Sequence, residues 1–362
     1  MMSPSSITLH HLVIPLARPF ATTTNQVSEI HALLTEVTLS NGLIAQSFIY
    51  GLGKVPISEV MSQFTPALLS DINHQKAWTS SESWKKYWAE LRKKPTTPVL
   101  QYFISALDVT AWDYFAKQAK MPLHRLLGST VSQVPLYGTT GWLSLSTEEL
   151  ILEAQKYASQ GINALKVRSP HPQDQTRIAA LRQAMGPDFK IMIDATAYLN
   201  LEEALQLAKD IAPYDITWLE EPLRNMEADL KPLCEATTIP IAAGENFLSE
   251  SEFEHYAKKN QLQIYQIDLK RMGGVTGFMN AGHILRGKMP VSNHLMPELC
   301  ASLISVFPNT TLAEYDDLLP AEIFTHPPVI QEGCLQLSDV PGSGVSITAE
   351  AIEKYSISMM RL

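Results

Sequence analysis

The segment KIMID, residues 190–194, is a short apolar run that ends on an ionisable residue, and this pattern recurs along the chain. Residues 216–220 read ITWLE, residues 263–268 read QIYQID, and residues 289–294 read MPVSNH. Each run is long enough for one buried strand, and helical patterns lie between most of the runs. This alternation of strand and helix predicts a parallel sheet closed into a barrel, rather than an antiparallel sandwich.

Eight such runs can be counted outward from this segment. They cover residues 134–137, 164–167, 190–193, 216–219, 239–242, 263–267, 289–291 and 311–313. Amphipathic patterns predict helices between them, for example over residues 147–160, 174–185, 201–211 and 250–259. The predicted fold class is therefore α/β, with a TIM-type barrel of eight strands over residues 129–325.

The first third of the chain does not alternate in this way. Three strands are predicted over residues 7–14, 30–39 and 43–50, and Asn41-Gly42 joins the last two as a hairpin. Helical patterns follow over residues 59–71, 84–93 and 100–120. We therefore expect an α+β domain over residues 1–128. The irregular tail, residues 326–362, is expected to return to this domain.

Composition excludes some classes of protein. The chain of 362 residues carries a formal charge of −9, so no basic excess favours a nucleic-acid partner. No apolar stretch approaches the roughly 20 residues that span a bilayer, and the N-terminus does not resemble a signal peptide. Three widely spaced cysteines without a CxxC pair are typical of a reduced, cytoplasmic protein.

An ionisable residue stands at or just after the end of six consecutive predicted strands. These residues are Asp194, Glu220, Glu245, Asp268, His294 and Glu314, spaced 20 to 26 residues apart. One acid after a strand is usually a helix cap or a solvated loop residue. Six in phase are different, because a barrel brings the C-terminal ends of its strands to one rim, where active sites lie.

The first three carboxylates suit a hard divalent cation, because clustered acids repel one another unless a cation lies among them. Asp194, Glu220 and Glu245 are therefore the candidate ligands. On the second strand, Lys166 and Arg168 share a face. Alone they could simply be cations that form salt bridges at the surface. Beside the acids they are placed to meet a substrate carboxylate and its developing negative charge.

The chain resembles the enolase superfamily and, within it, the mandelate racemase branch. The resemblance rests on an ordered set of motifs: Lys166-Val167-Arg168, IMIDA around Asp194, WLEEP around Glu220, AAGEN around Glu245, IDLKRMGGVTG around Asp268, SNHL around His294 and LAEY around Glu314. It implies a modified (β/α)7β barrel, capped by the N-terminal α+β domain together with the C-terminal tail. It also implies one Mg²⁺ per subunit, with Mn²⁺ as an alternative, and a homo-oligomer.

The resemblance also implies roles for the site residues. Asp194, Glu220 and Glu245 would hold the ion, which binds a substrate carboxylate next to Lys166. Asp268 would orient His294 as general base, and an aspartate at position 268 favours this branch over the muconate cycloisomerase branch, which has a lysine there. Glu314 would be protonated and donate a hydrogen bond to the substrate carboxylate.

One departure from the family pattern bears on the reaction. A two-base racemase has a second lysine where this chain has Arg168, and arginine is a poor base because it stays protonated. A one-base dehydration of an acid sugar, with His294 removing the α-proton, is therefore favoured. Racemisation or epimerisation stays open if Lys166 acts on the opposite face. A non-catalytic barrel is disfavoured, because it would be expected to have lost these ligands. A barrel metallohydrolase is also disfavoured, because it usually has His-x-His on its first strand, where this chain has Tyr137, Gly138 and Thr139.

Substrate contacts are predicted more broadly. Thr196 stands where an asparagine is common in the branch, and Thr24, Tyr50 and Trp142 are candidates to line the pocket, although each could equally be solvated or part of the core. Glu221 and Asn246 adjoin metal ligands and are predicted to support them. The predicted partner is a small carboxylate, with no nucleic acid and no membrane.

Overall fold

The computed structural model describes residues 3–23, 26–52, 55–94 and 96–362. In the N-terminal part, three long strands form an antiparallel sheet, and a strand from the C-terminus joins its edge in the order β14-β1-β2-β3. These strands are β1 (Pro4–Ala21), β2 (Gln26–Leu39), β3 (Ile44–Gly51) and β14 (Ser356–Arg361). The predicted Asn41-Gly42 hairpin joins β2 to β3, and Gly42 adopts the positive φ of 83° that such a turn requires.

Five helices follow the sheet and complete this capping unit. They are α1 (Ile57–Ser62), α2 (Pro66–His74), α3 (Ser81–Leu91), α4 (Pro98–Ala119) and α5 (Leu123–Leu126). The prediction of one helix over residues 59–71 is wrong, because α1 ends at Ser62 and a second helix begins at Pro66. Thr65 caps a new helix there, with its Oγ1 accepting from the Leu68 amide at 3.2 Å.

Eight parallel strands form the barrel, and seven helices connect them. The strands are β4 (Gln133–Gly141), β5 (Ala164–Arg168), β6 (Lys190–Asp194), β7 (Ile216–Glu220), β8 (Ile241–Ala243), β9 (Ile264–Asp268), β10 (Val291–His294) and β11 (Ala313–Tyr315). The helices are α6 (Thr147–Ser159), α7 (Asp174–Met185), α8 (Leu201–Ile211), α9 (Met226–Ala236), α10 (Glu250–Lys259), α11 (Val275–Leu285) and α12 (Pro297–Ile304). The predicted fold class, a (β/α)7β barrel with an α+β cap, is confirmed.

The barrel closes where β11 pairs in parallel with β4, Glu314 lying opposite Tyr137. On its other side β11 is joined to β10 partly by a side chain. Asn293 Oδ1 accepts from the Glu314 amide at 2.9 Å, and Asn293 Nδ2 donates to the Leu295 carbonyl at 3.0 Å. This asparagine therefore helps to fix the strand end that carries Glu314.

The C-terminal tail divides its contacts between barrel and cap. A hairpin of β12 (Val329–Gln331) and β13 (Cys334–Gln336) pairs antiparallel with the base of β4. Helix α13 (Ala349–Tyr355) and β14 then lie against β1. The tail thus contributes to both units, and the predicted domain bounds 1–128, 129–325 and 326–362 stay a prediction.

Over the described ranges, no helix is both long and apolar enough to cross a membrane.

Candidate active site

The interior of the barrel changes from apolar to charged along its strands. An enclosed apolar layer contains Tyr137, Ala164, Met192, Trp218, Ala242 and Ile264. Two residues further along, on the same face of their strands, stand Thr139, Lys166, Asp194, Glu220 and Gln266, and all five are buried. Alternation with a period of two therefore places charged groups at the C-terminal rim, directly above an apolar floor.

Three of the predicted carboxylates meet at this rim. Asp194, Glu220 and Glu245 each offer one oxygen atom, and these atoms lie within 4.8 Å of one another in a buried cluster. Asp194 and Glu220 are opposite each other in the pairing of β6 with β7, and Glu245 follows β8. Two oxygen atoms bound to one ion by Mg–O bonds of about 2.1 Å are at most about 4.2 Å apart, so small adjustments of a cluster of this size would let one ion bind all three.

The hydrogen bonds of these three residues also fit an ion. The Thr196 amide donates to Asp194 Oδ1 at 2.8 Å, and Trp218 Nε1 donates to Glu220 Oε2 at 3.1 Å. Within the described part of the chain, Glu245 Oε2 is buried and accepts no hydrogen bond. A buried acceptor without a donor is costly, and a bound cation would satisfy it.

Lys166 and Arg168 lie against this cluster. Lys166 Nζ is 2.7 Å from Glu220 Oε1, 2.6 Å from Glu314 Oε1 and 3.4 Å from Asp194 Oδ2. Burial alone would lower the pKa of Lys166, but Glu220 and Glu314 outweigh burial and raise it, so the amine stays charged. The Arg168 guanidinium pairs with Asp194 Oδ2.

Asp268 and His294 form the predicted dyad. They are opposite each other in the pairing of β9 with β10, and Asp268 Oδ2 lies 2.6 Å from His294 Nδ1. Burial alone would raise the pKa of Asp268, but Lys270 and His294 hold it well below its usual range. An ionised carboxylate can only accept, so the imidazole proton is on Nδ1. In a neutral imidazole with this tautomer the lone pair is on Nε2, which lies 3.3 Å from Glu245 Oε2.

Glu314 lies beside Lys166, but the expectation that it is protonated is wrong for this structure. Its described partners are donors: Thr139 Oγ1 at 2.8 Å and Lys166 Nζ on Oε1, and the Leu295 amide at 2.6 Å on Oε2. Burial alone would raise the pKa of Glu314, but Lys166 lowers it to about 2. The motifs place acids around Glu314, but they do not give its distance of 2.6 Å from the Lys166 ammonium.

The predicted substrate contacts fall in different places. Thr196 lies beside Asp194 and meets the cap, its Oγ1 lying 2.5 Å from Thr23 Oγ1. Trp142 is next to Arg168, whose Cζ lies 5.1 Å from the indole centroid. Tyr50 is fully buried and donates to Glu298 at 3.2 Å. Thr24 lies outside the described residues. As substrate contacts, all four stay predictions.

Glu221 and Asn246 lie behind the metal ligands. Glu221 Oε1 accepts from the Gly244 amide at 3.0 Å, in the turn that leads to Glu245. Burial and the charge of Glu245 raise the pKa of Glu221 to about 7, although a hydrogen bond with Asn246 opposes this. Both residues therefore touch the segment that carries a ligand, and their supporting role stays a prediction.

Sequence reasoning missed several residues of the site. Lys270 Nζ lies 3.4 Å from Asp268 Oδ2, Arg271 donates to the Glu245 carbonyl, and Thr139 donates to Glu314. Phe20, in the cap, stacks on Trp142. The LKR run after Asp268 and the position of Thr139 two residues after Tyr137 were available signals, whereas nothing in the sequence pairs Phe20 with Trp142.

Fold and site together define a barrel whose rim carries a carboxylate cluster suited to a divalent metal ion, next to an Asp–His pair that can act as a base. The chain belongs to the enolase superfamily, because the family model described as "Enolase C-terminal domain-like" matches residues 149–351. The resemblance to this superfamily and its mandelate racemase branch is thereby confirmed.

Particular relatives support the same assignment. The chain is 27% identical over 341 residues to arabinonate dehydratase of Saccharolobus solfataricus, covering 89% of each chain. It is 26% identical over 281 residues to 3,6-anhydro-alpha-L-galactonate cycloisomerase of Streptomyces coelicolor, covering 76% of this chain and 77% of that one. The fold matches L-talarate dehydratase from Polaromonas sp. JS666, complexed with Mg and L-glucarate, with a TM-score of 0.86, 23% identity and coverage of 100% and 99%.

Proposed function

We propose that the protein is a Mg²⁺-dependent hydro-lyase that dehydrates an acid sugar or a related 2-hydroxy acid. The observation that carries this proposal is the convergence of two groups at one rim. The carboxylates of Asp194, Glu220 and Glu245 stand next to the Asp268–His294 pair, with His294 Nε2 only 3.3 Å from Glu245 Oε2. A base is thus held beside the place where the substrate carboxylate would bind.

Asp194, Glu220 and Glu245 would hold the ion. When bound, Mg²⁺ supplies the concentrated positive charge that makes removal of a proton next to a carboxylate feasible. Lys166 stays charged among these ligands and contributes positive charge on the same side. Glu314 accepts from Lys166 in this structure and helps to hold the ammonium in place.

His294 Nε2 takes the α-proton of the substrate, and Asp268 stabilises the imidazolium that results. The electron pair of the broken C–H bond is first delocalised into the carboxylate, giving an enediolate, and then forms the double bond between the α- and β-carbons as the β-hydroxyl leaves. The imidazolium returns its proton to the departing oxygen, so water is released, and the enol product tautomerises to a 2-keto-3-deoxy acid. Arg168 lies on this rim and stabilises the charge on the leaving oxygen.

Contacts of Lys166 favour dehydration over racemisation. A base on the opposite face would have to be a neutral amine, yet Lys166 is held between Glu220 and Glu314 at 2.7 and 2.6 Å. Arg168 carries a guanidinium, which is a poor base, and it pairs with Asp194. One base is therefore available to the α-carbon, and one base suffices for loss of water.

Names of relatives support the substrate class. One relative is an arabinonate dehydratase and another an L-talarate/galactarate dehydratase, so polyhydroxylated carboxylates are the compounds to test first. The partner of this chain is then a small acid-sugar carboxylate. A homo-oligomeric, cytoplasmic protein is proposed with it, on the family resemblance and the cysteine pattern.

A library of acid sugars incubated with the protein and Mg²⁺ tests the proposal. We expect a 2-keto product from at least one compound, and none after chelation of the metal. Exchange of the α-hydrogen for solvent deuterium without keto product would instead support a racemase or epimerase. If no compound gives keto product and none exchanges its α-hydrogen, the proposal is refuted.

A further inference from the structure

An aromatic pair joins the cap to the barrel beside the site. Phe20, near the end of β1, stacks on Trp142, the residue that follows β4, with ring centroids 3.7 Å apart and planes inclined by 13°. Both rings are buried, with 3% and 5% of their surface exposed. The orientation of Trp142 therefore depends on a residue contributed by the cap.

Arg168 is the third member of this stack. Its Cζ lies over the Trp142 ring at 5.1 Å from the centroid. Rings stacked at 3.7 Å leave no space between them, so the guanidinium occupies the indole face opposite Phe20. Cation–π attraction of this kind strengthens when the partners are removed from water, as they are here.

The local sequence explains why Trp142 reaches Arg168. The pairing of β4 with β5 is irregular between Thr139 and Gly141, and Gly141 lies opposite Val167. A Cβ at Gly141 would lie 2.6 Å from the Lys166 carbonyl oxygen and from Val167 Cα, so only glycine lets the strands approach this closely. Trp142 follows Gly141, and Arg168 follows Val167 on the neighbouring strand.

Further contacts fasten the cap segment to the barrel on both sides of the stack. The Leu143 amide donates to the Ala21 carbonyl at 3.3 Å, next to Trp142. Thr23 Oγ1 lies 2.5 Å from Thr196 Oγ1, next to the ligand Asp194. Phe20 therefore belongs to a segment that is docked on the rim, and its ring position is tied to that docking.

Arg168 has donors left for a ligand. Nη1 is paired with Asp194, whereas Nε is buried and has no hydrogen-bond partner within the described ranges of the chain. A buried guanidinium N–H without an acceptor is unfavourable until an oxygen atom meets it. With one side fixed by Asp194 and one face by Trp142, the free donors keep a defined direction.

We propose that Phe20 and Trp142 are positioning residues that aim the Arg168 guanidinium at the hydroxyl group leaving the substrate, an inference that rests on the proposed dehydration. After His294 has removed the α-proton, the intermediate either loses its β-hydroxyl or takes a proton back. An aimed guanidinium favours loss of the hydroxyl. The stack therefore sets the ratio of dehydration to proton return.

This ratio can be measured in D₂O, with keto product reporting dehydration and deuterium at the α-carbon of recovered substrate reporting proton return. We expect Phe20→Leu and Trp142→Leu to slow dehydration by roughly tenfold. Deuterium exchange should be kept or increased, because His294 is untouched. Phe20→Tyr keeps a stacking ring and should restore the wild-type ratio.

The matched control is Phe64→Leu, the same substitution at an equally buried ring of the cap that packs edge-on against Phe103. It should lower the melting temperature without changing the ratio. A parallel fall of dehydration and exchange in Phe20→Leu, which leaves the ratio unchanged, would mean a purely structural role and would overturn the inference. If Phe20→Leu does not fold, Trp142→Phe takes its place in the same measurement, because it keeps only a smaller ring against Arg168.

A double-mutant cycle makes the coupling explicit. Arg168→Lys removes the planar guanidinium, so adding Phe20→Leu should slow dehydration by less than twofold more. Multiplicative losses in the double variant would show that Phe20 acts independently of Arg168 and would overturn the inference. Wild-type protein that forms keto product from no acid sugar overturns the proposed function and this inference together, whereas the other outcomes concern the stack alone.

Discussion

Replacement of Asp268 by asparagine should remove the base without moving it. Asp268 Oδ1 accepts two backbone hydrogen bonds, from the Lys270 amide at 2.8 Å and the Arg271 amide at 2.9 Å. The amide oxygen of asparagine will take this position, because a reversed amide would leave two buried N–H groups unsatisfied at about 1–3 kcal/mol each. The NH₂ group then faces His294 Nδ1, which must accept.

The imidazole proton is thereby forced onto Nε2, where the lone pair for catalysis had been. This tautomer is stabilised further, because Nε2 lies 3.3 Å from Glu245 Oε2 and can donate to it. A positioned general base contributes about 10²–10⁴-fold in rate. We therefore expect the rate of α-proton removal in Asp268→Asn to fall by that factor, which corresponds to about 3–5 kcal/mol in activation free energy.

The assay follows deuterium uptake at the α-carbon and keto product together, with Mg²⁺ affinity measured by calorimetry as the control. Affinity should stay within a few-fold of wild type, because Asp268 is not one of the three ligands. His294→Asn should reach the same low rate, and the double variant should be no slower than either single variant, since both remove one lone pair. An Asp268→Asn protein within tenfold of wild-type exchange would refute the tautomer argument.

Three further predictions follow from buried contacts. Lys166→Met should abolish turnover yet strengthen Mg²⁺ binding at least tenfold in a calorimetric titration, because a charge 2.7 Å from Glu220 repels the ion; weaker binding would contradict this. Burial raises the pKa of Glu298 to about 7, so its ionisation destabilises the fold as pH rises from about 4.5 to 7. Glu298→Gln should therefore gain up to about 3 kcal/mol over the wild type at pH 8 but not at pH 4, and an equal gain at both values in urea unfolding would contradict it. Gly141→Ala should cost about 2 kcal/mol or more in the same unfolding assay, because its Cβ would meet backbone atoms at 2.6 Å; an unchanged midpoint would show that the strands can separate.

Much of the fold could be predicted from sequence, because barrel strands carry two signals at once. An apolar residue of the barrel floor is followed two positions later by a charged residue at the rim. Met192 and Asp194 are one such pair, and Trp218 and Glu220 are another. Spacing then gives the order of the strands around the barrel. The break before Pro66 was missed because the apolar pattern continues across it, although Thr65-Pro66 is itself a helix-start signal.

The site was predictable where a residue's place follows from its strand. Asp194, Glu220 and Glu245 meet because neighbouring parallel strands end together. Contacts that cross between units could not be derived in this way. Phe20 and Trp142 are 122 positions apart in the chain and share no motif, and their stacking depends on how the cap docks. The charge of Glu314 likewise depends on a distance of 2.6 Å to Lys166 that strand order alone does not give.

Lys166 connects the stability of this rim with its chemistry. Its ammonium is fully buried and contacts Glu220 and Glu314 directly, so it compensates the charge of two buried carboxylates. Asp194 and Glu220 would hold the ion, which would supply part of that compensation. Positive charge of Lys166 then becomes available to a substrate oxygen without leaving a carboxylate unpaired. The same side chain can therefore stabilise the rim and serve the substrate anion. This is why its removal should affect folding, metal affinity and turnover in different directions.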